Sequence, residues 1–432
     1  MLMKILIQQL IERLVALCFF VIGLFPKKEV VYFESMHGRQ YSDNPRAIYE
    51  QLVSLNTERK SVSSQSLVND KSDFELIWGV KKGFESDFVD AEVPYMTRFS
   101  LRWFLLMPRA RVWVINTRTP LWLVKSKDTI YIQTWHGTPL KKIGIDVRSD
   151  NKPSAYEKYS RDFVKESARW NYLLAPNPYS KEIFKEAFQY SGKMICCGYP
   201  RNDILINEKN NADLKRKIKE NIGLLDQDER EIVLYCPTWR DNNQINSNRY
   251  RFDEGIDFRK WEKELVKNTV LLVRGHYLTD YKGESDGNII NVSNYEDVNQ
   301  LLLIADILIT DYSSVMFDYS LLDRPVILYV PDRNEYVYRT RGIYFDIFTE
   351  NKQLVAESKM DLESKLKAIL MKNATMSMLK TDNIANWEKG IASQKVAELI
   401  LGNLKMTNEK KGENENAQDN PRSSRTNRSE NW

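Results

Sequence analysis

From Val30 onward the chain repeats one pattern: a short continuous apolar run, a polar turn, then a stretch with helical spacing. The runs VVYF (30–33), FELIWGV (74–80), VWVIN (112–116), TIYIQTW (129–135), NYLLAPN (171–177) and KMICCG (193–198) are predicted strands. They do not alternate apolar with polar, so each is expected to be covered on both faces, as in a parallel sheet flanked by helices. Asn44-Pro45 reads as an N-cap with proline at the first helical position, opening a helix through Leu55. Tyr179 to Phe188 is a second amphipathic helix. The pattern then restarts with a polar helix over Asp213 to Ile222. After it come EIVLYCPTW (231–239), TVLLVRGH (269–276), NIINVS (288–293), DILITDYS (306–313) and PVILYV (325–330). Helical segments at Phe258 to Lys267, Glu296 to Ala305 and Ser314 to Leu322 lie between them. The fold class is therefore α/β, in two halves of similar size. The join falls near Gly198-Tyr-Pro-Arg-Asn-Asp203, where glycine and proline interrupt the periodicity. The expected division is 1–26 as an anchoring helix, 27–200 and 201–405 as the two α/β halves, and 406–432 as a tail.

The two ends depart from this pattern. In MLMKILIQQLIERLVALCFFVIGLF the uninterrupted apolar stretch is Leu14 to Phe25. That is shorter than the roughly 20 residues a spanning helix needs. No small-residue cleavage pattern follows; Pro26-Lys27-Lys28 stops the helix. The segment reads as an interfacial anchor with Lys27 and Lys28 at the lipid headgroups, and a true span or a helix packed on the protein's own core remain open. Beyond Met406 the chain is almost wholly polar, which predicts disorder.

Composition removes several classes. Of 432 residues, 42% are hydrophobic and 28% charged, a globular balance of two or three domains. A net charge of +4 is too dilute to argue for nucleic acid. Four cysteines without a C-x-x-C and three histidines do not make a structural zinc site, and they fit a reducing compartment.

Two α/β halves put the C-terminal ends of their strands around one cleft, where open sheets bind ligands. His136 ends the run TIYIQTW, beside Gly137, which permits a sharp turn, and the Thr138 hydroxyl. It suits a general base, or a histidine that closes the turn. His276 ends a strand in the other half, two residues after Arg274. In Thr310-Asp311-Tyr-Ser313-Ser314 a strand gives way to a helix, and either the serines cap it or its first amides hold an anion. Thr238 and Arg240 follow a strand and could meet a phosphate; a solvated arginine fits equally. The loop Phe33 to Asn44, with His37, carries polar groups for a hydroxylated acceptor. No Walker A, G-x-G-x-x-G, G-x-S-x-G or H-E-x-x-H occurs, which weakens kinase, dehydrogenase, hydrolase and zinc-protease readings.

Gln133-Thr-Trp-His-Gly-Thr-Pro-Leu-Lys-Lys-Ile-Gly144 resembles the acceptor-side motif of the CDP-glycerol glycerophosphotransferases, the teichoic acid primases and polymerases. Thr310 to Tyr319, Arg324 to Tyr329, Glu34 to Pro45 and Tyr338 to Asp346 match further motifs of that family, in family order. The family usually places proline after the second histidine, where this chain has Tyr277. The resemblance implies a GT-B-like fold of two Rossmann-like halves, peripheral on the cytoplasmic side of the cell membrane. It implies transfer of glycerol phosphate from CDP-glycerol, or ribitol phosphate from CDP-ribitol, to an undecaprenyl-diphosphate-linked or polymeric acceptor, with release of CMP. His136 would take the acceptor proton and His276 would neutralise charge on the pyrophosphate. Ser313 and Ser314, with Arg240, Arg274 and Arg341, would hold the phosphates, and no cofactor or metal is required. A GT-B sugar transferase and a non-catalytic membrane scaffold are the alternatives.

Overall fold

The computed structural model describes residues 2–63, 74–147, 153–238, 244–246, 249–250, 268–275, 288–340, 342–371 and 378–404. The helix predicted at 258–267 and the polar tail lie outside these residues. The first half is a seven-stranded sheet. Its strands are β1 (Lys28–Glu34), β2 (Glu75–Val80), β3 (Tyr95–Thr97), β4 (Ala110–Ile115), β5 (Ile130–Gln133), β6 (Tyr172–Ala175) and β7 (Lys193–Cys196). Their order is β3-β2-β1-β4-β5-β6-β7 and every pairing is parallel. The second sheet has six strands. These are β8 (Glu231–Tyr235), β9 (Thr269–Val273), β10 (Ile289–Asn291), β11 (Ile307–Thr310), β12 (Val326–Tyr329) and β13 (Val355–Ala356). It repeats the logic, in the order β10-β9-β8-β11-β12-β13, again all parallel. In each sheet the strand order reverses beside the first strand, which places a crevice at the strand C-termini.

The apolar runs form strands because both faces are covered. Val31, Phe33, Trp78, Val112 and Val114 enter one core layer, while Val30, Tyr32, Ile77, Trp113 and Ile115 enter the opposite one. The second sheet is likewise sandwiched between two layers. The strands absent from the prediction, β3 and β13, are edge strands of three and two residues, too short to leave a periodic signature.

Two boundaries move. Helix α2 runs Asp43–Ser63, well past Leu55. Residues 392–404, placed by sequence order in the second half, are helical (α5 below) and pack into the first. Their stripe Ala392, Val396, Ala397, Ile400, Leu401 and Leu404 repeats with helical spacing and closes the layer beneath Val31 and Trp78. The chain thus crosses back, so the second half ends before 392. Between α2 and this last helix, two further helices matter below: α3 (Pro153–Ser167) and α4 (Val315–Tyr319), and residues 392–404 are α5.

Helix α1 (Leu2–Gly23) is continuous for 22 residues, charged residues included. Its window Leu6–Gly23, with mean hydropathy 1.8, is long and apolar enough to cross a membrane by length and composition. It touches the protein along one edge near its end. Phe19 is buried, with its ring 5.0 Å from that of Trp103 and 5.8 Å from that of Phe104. Leu6, Leu10, Leu14, Leu17 and Phe20 remain exposed. Lys27 does not face outward as expected. Its Nζ donates to the Pro108 carbonyl at 2.7 Å and to the Thr129 hydroxyl at 2.9 Å, and burial lowers its pKa to about 8. Lys28 is exposed.

Candidate active site

The strand ends of both sheets meet at a cleft of about 580 Å³. His136, Gly137 and Thr138 line it from the first half, and Thr238, Arg274, Ser313 and Ser314 from the second. Seven of the residues expected at the site are therefore brought to one cavity by parallel sheets from separate halves. His276, Arg240 and Arg341 lie outside the described residues.

His136 is fixed by its neighbours. Its Nδ1 lies 2.8 Å from the carbonyl oxygen of Asn116, the residue that ends the β4 run. A carbonyl only accepts, so Nδ1 carries the proton and Nε2 keeps its lone pair. The ring stacks on Trp135 at 4.6 Å. Burial lowers the His136 pKa, against the opposing effects of the Asn116 bond and the Asp43 charge. The neutral form with a free Nε2 is the form a general base requires.

The loop carrying it is clamped from several directions. Gln133 accepts from the Trp135 amide at 2.9 Å. Asn44 donates to the carbonyls of Thr134 and Trp135 at 3.3 and 3.1 Å. Asn44 is thus not the helix cap its sequence suggests; the helix already includes Asp43 and the amide serves the loop. Tyr199 donates its hydroxyl to the Gly137 carbonyl at 3.0 Å. Trp135 itself is held at φ +53°. Met36, His37 and Asp43, at φ +46°, +60° and +64°, line the same cleft. Such left-handed conformations in non-glycine residues persist only where surrounding contacts enforce them, and they concentrate at functional sites.

The wall from the second half is simpler. Ser313 accepts weakly from the Val315 amide at 3.4 Å, while Ser314 makes no side-chain cap. The Ser314 hydroxyl instead lies against Gly137, where an added Cβ would overlap it. Gly137 is therefore required less for a turn, since its φ is ordinary, than for this close approach of the two halves. Helix α4 is only five residues long, which limits the dipole expected of it, and its first amides already donate within the turn, Val315 to the Ser313 hydroxyl and Met316 and Phe317 to the carbonyls of Ser313 and Ser314.

Three expected contacts are corrected. Thr310 is buried and donates to the Cys236 carbonyl at 2.6 Å. Asp311 is buried and accepts the Thr238 amide at 2.8 Å. Neither lines the cleft; both tie the Cys236–Thr238 segment to the serine loop, because β8 and β11 are neighbours. Arg274 reaches the cleft, but its guanidinium donates to the carbonyls of Val292, Tyr295 and Glu296, so it supports that loop and does not present a fork to an anion. Burial lowers its pKa.

Sequence reasoning missed the residue that joins everything. Arg201, in the stretch expected to be a linker, is buried and donates to Asp43 at 3.3 Å, to the His136 carbonyl at 2.9 Å and to Asp318 of α4 at 2.7 Å. Asn202 donates to Asp318 and to Glu388 at 3.0 and 2.9 Å. Asn116, Asn44 and Tyr199 were also missed. Their only local signal is polar residues at the end of apolar runs, which does not reveal a non-local partner. Among the described residues no three His, Cys, Asp or Glu side chains are grouped to hold a metal.

The comparisons with known proteins agree with this arrangement. A family model described as CDP-glycerol:poly(glycerophosphate) glycerophosphotransferase matches residues 16–402. The teichoic acid glycerol-phosphate transferase of Staphylococcus aureus (strain NCTC 8325 / PS 47) is 42% identical over 402 residues, covering 91% of this chain and 98% of its own. The teichoic acid poly(glycerol phosphate) polymerase of Bacillus spizizenii (strain ATCC 23059 / NRRL B-14472 / W23) is 40% identical, with the same coverage of 91% and 98%. Among solved structures, a variant of the wall teichoic acid polymerase TagF superposes with a TM-score of 0.77 at 32% identity, covering 93% of this chain and 97% of that one. A TagF variant soaked with CDPG superposes with a TM-score of 0.76. With a two-sheet GT-B-like fold and a fixed histidine at its cleft, this chain belongs to the CDP-glycerol:poly(glycerophosphate) glycerophosphotransferase family.

Proposed function

We propose that this protein transfers glycerol phosphate from CDP-glycerol to a hydroxyl of a teichoic-acid-type acceptor and releases CMP. The observation that carries the reading is His136, with Nδ1–H held by Asn116 and the Ser314 hydroxyl brought beside it across Gly137. The acceptor oxygen attacks the β-phosphorus of the donor. The new P–O bond forms as the bond to CMP breaks, and the hydroxyl proton passes to His136 Nε2. Little covalent chemistry is needed from the protein; catalysis is positioning and charge stabilisation. The hydroxyls of Ser313 and Ser314 meet the phosphates, and His276 supplies a cationic partner to the pyrophosphate. The reading invokes no cofactor. CDP-glycerol is favoured over CDP-ribitol because the relatives of highest identity named above act on glycerol phosphate.

The acceptor is a growing polymer or an undecaprenyl-diphosphate-linked saccharide, and the protein works peripherally at the cytoplasmic face of the cell membrane. The exposed apolar residues of α1, continued by Leu101 and Leu105 beside its docking point, support that placement. The four free thiols are compatible with that compartment. Purified protein incubated with CDP-glycerol, CDP-ribitol or UDP-sugars and a lipid-linked acceptor, with and without chelator, tests the reading. CMP release from CDP-glycerol, persisting in chelator, is expected. UDP release from a UDP-sugar, or no turnover with any donor, overturns it.

A further inference from the structure

The three residues that follow β4 each address the cleft. Asn116 orients His136, and the Thr117 hydroxyl meets Nδ1 of His37 at 3.4 Å. Arg118 is next. Its guanidinium carbon lies 4.9 Å from the ring centroid of Tyr159 and 4.4 Å from that of Phe163, both on α3. The guanidinium is half-buried, lines the cleft, and has no ion pair or hydrogen bond among the described residues. Other shielded arginines of this half are matched: Arg98 by Glu34, Arg111 by Glu29 and Arg201 by Asp43. The cleft carboxylates are engaged elsewhere. Asp43 and Asp318 pair with Arg201, Asp297 with Arg46, and Glu296 accepts the Tyr41 amide.

An arginine laid on two aromatic faces is held flat, with its N–H edge left for a planar or tetrahedral anion. At intermediate exposure on the cleft wall, that edge is open to a ligand arriving through the cleft. The surroundings favour an anion too. Burial lowers the His37 pKa to about 4, and the neighbouring charges of Arg98, Arg39, His136 and Arg118 add to it in the same direction. The position relative to the base is set by touching rings: Phe163 packs on Trp135 at 6.2 Å, and Trp135 carries His136.

We propose that Arg118, assisted by His37, binds the phosphodiester of an acceptor whose attacking hydroxyl is one polyol unit away, at His136. The inference rests on the transferase reading above and deepens it: the poly(glycerophosphate) acceptor of the family is taken as given, and the new assignment is the residue that holds its phosphodiester.

The test compares glycerophosphoglycerol with free glycerol as acceptors for CMP release from CDP-glycerol, in wild type, Arg118→Ala and Arg118→Lys. The ratio of kcat/KM for the phosphodiester to that for glycerol is expected to fall about 10- to 100-fold in Arg118→Ala, the scale of losing a hydrogen bond to a charged group. Arg118→Lys should recover part of it. CDP affinity by calorimetry should match wild type, which also shows that the variant is folded. An unchanged ratio overturns the proposal. So does displacement of bound probe by methyl diphosphate but not by glycerophosphoglycerol, which would place a lipid diphosphate there. If wild type releases no CMP with either acceptor, the transferase reading fails by itself. The anion site is then decided by direct calorimetric binding of glycerophosphoglycerol, lost in Arg118→Ala if the site exists and equal in both proteins if it does not.

Discussion

After β5 and after β11 the chain leaves a central strand of a parallel sheet and enters the same cleft, but the two exits are built differently. The first is held by side chains from far along the chain: Asn44, Asn116, Tyr199 and Arg201. It also keeps Trp135 in a left-handed conformation. The second needs little beyond its own neighbours, with Asp311 accepting the Thr238 and Tyr312 amides and Ser313 turning back on Val315. On the proposed reading a proton must be taken by one lone pair in one direction, which an over-determined His136 suits. A phosphate accepts from several donors at once, so a cradle proposed at the second exit tolerates looser construction.

The comparison breaks most sharply at the base. His136→Ala should lower kcat by about 10²- to 10⁴-fold, with CDP affinity by calorimetry near that of wild type. Wild-type turnover in this variant would move the chemistry elsewhere. Asn44→Ala comes next. It strips two carbonyls and the Arg201 amide of their partner, which should cost about 1–3 kcal/mol in a denaturant titration and lower kcat with little change in the KM for donor. Ser314→Ala should raise the KM for CDP-glycerol by roughly two- to tenfold, the scale of one ordinary hydrogen bond, because the Ser313 hydroxyl beside it remains. An effect as large as that of His136→Ala would erase the distinction between the two exits.

The smallest effect is a slope. Burial raises the Glu296 and Glu388 pKa values from 4.5 to about 8, helped by Asp87 at Glu296 and by Asp318 at Glu388. A carboxyl that holds its proton more tightly when folded stabilises the fold fully below its ordinary value and loses that contribution as pH rises through the folded one. The melting temperature should therefore decline between about pH 4.5 and about pH 8. In Glu388→Gln, where Asn202 and the Tyr199 amide still find an acceptor, the decline should be shallower. Parallel profiles in the two proteins would show that Glu388 does not titrate there.

The same contrast explains what could be read in advance. Continuous apolar runs announced eleven of the strands in the two sheets because burial on both faces is a local compositional demand, met by residues such as Val31 and Leu308 wherever they pack. His136 and Ser314 were legible because they stand at the ends of such runs. Asn44 and Arg201 were not. Their partners lie 91 and 117 residues away in sequence, and nothing near Asn44-Pro45 or Pro200-Arg201 distinguishes a cap or a linker from a brace. The fate of 392–404 was hidden likewise, since an apolar stripe states that a helix is covered but not by which sheet.

Arg201 also fixes how often the cleft stands open. Its partners Asp43 and Asp318 belong to opposite halves, so parting them leaves one carboxylate or the guanidinium without its counterion. Breaking a buried pair of this kind costs roughly 3–5 kcal/mol, which corresponds to an open fraction between about one molecule in 10² and one in 10⁴ at room temperature. Where the Arg201 guanidinium leaves with Asp318, the same excursion withdraws a hydrogen bond from the His136 carbonyl. On the proposed reading, a molecule opened in that way is one whose base has lost part of its brace. Water that enters with the opening meets the donor when the machinery for deprotonating it is least well aligned, which favours retention of an activated donor over its idle hydrolysis.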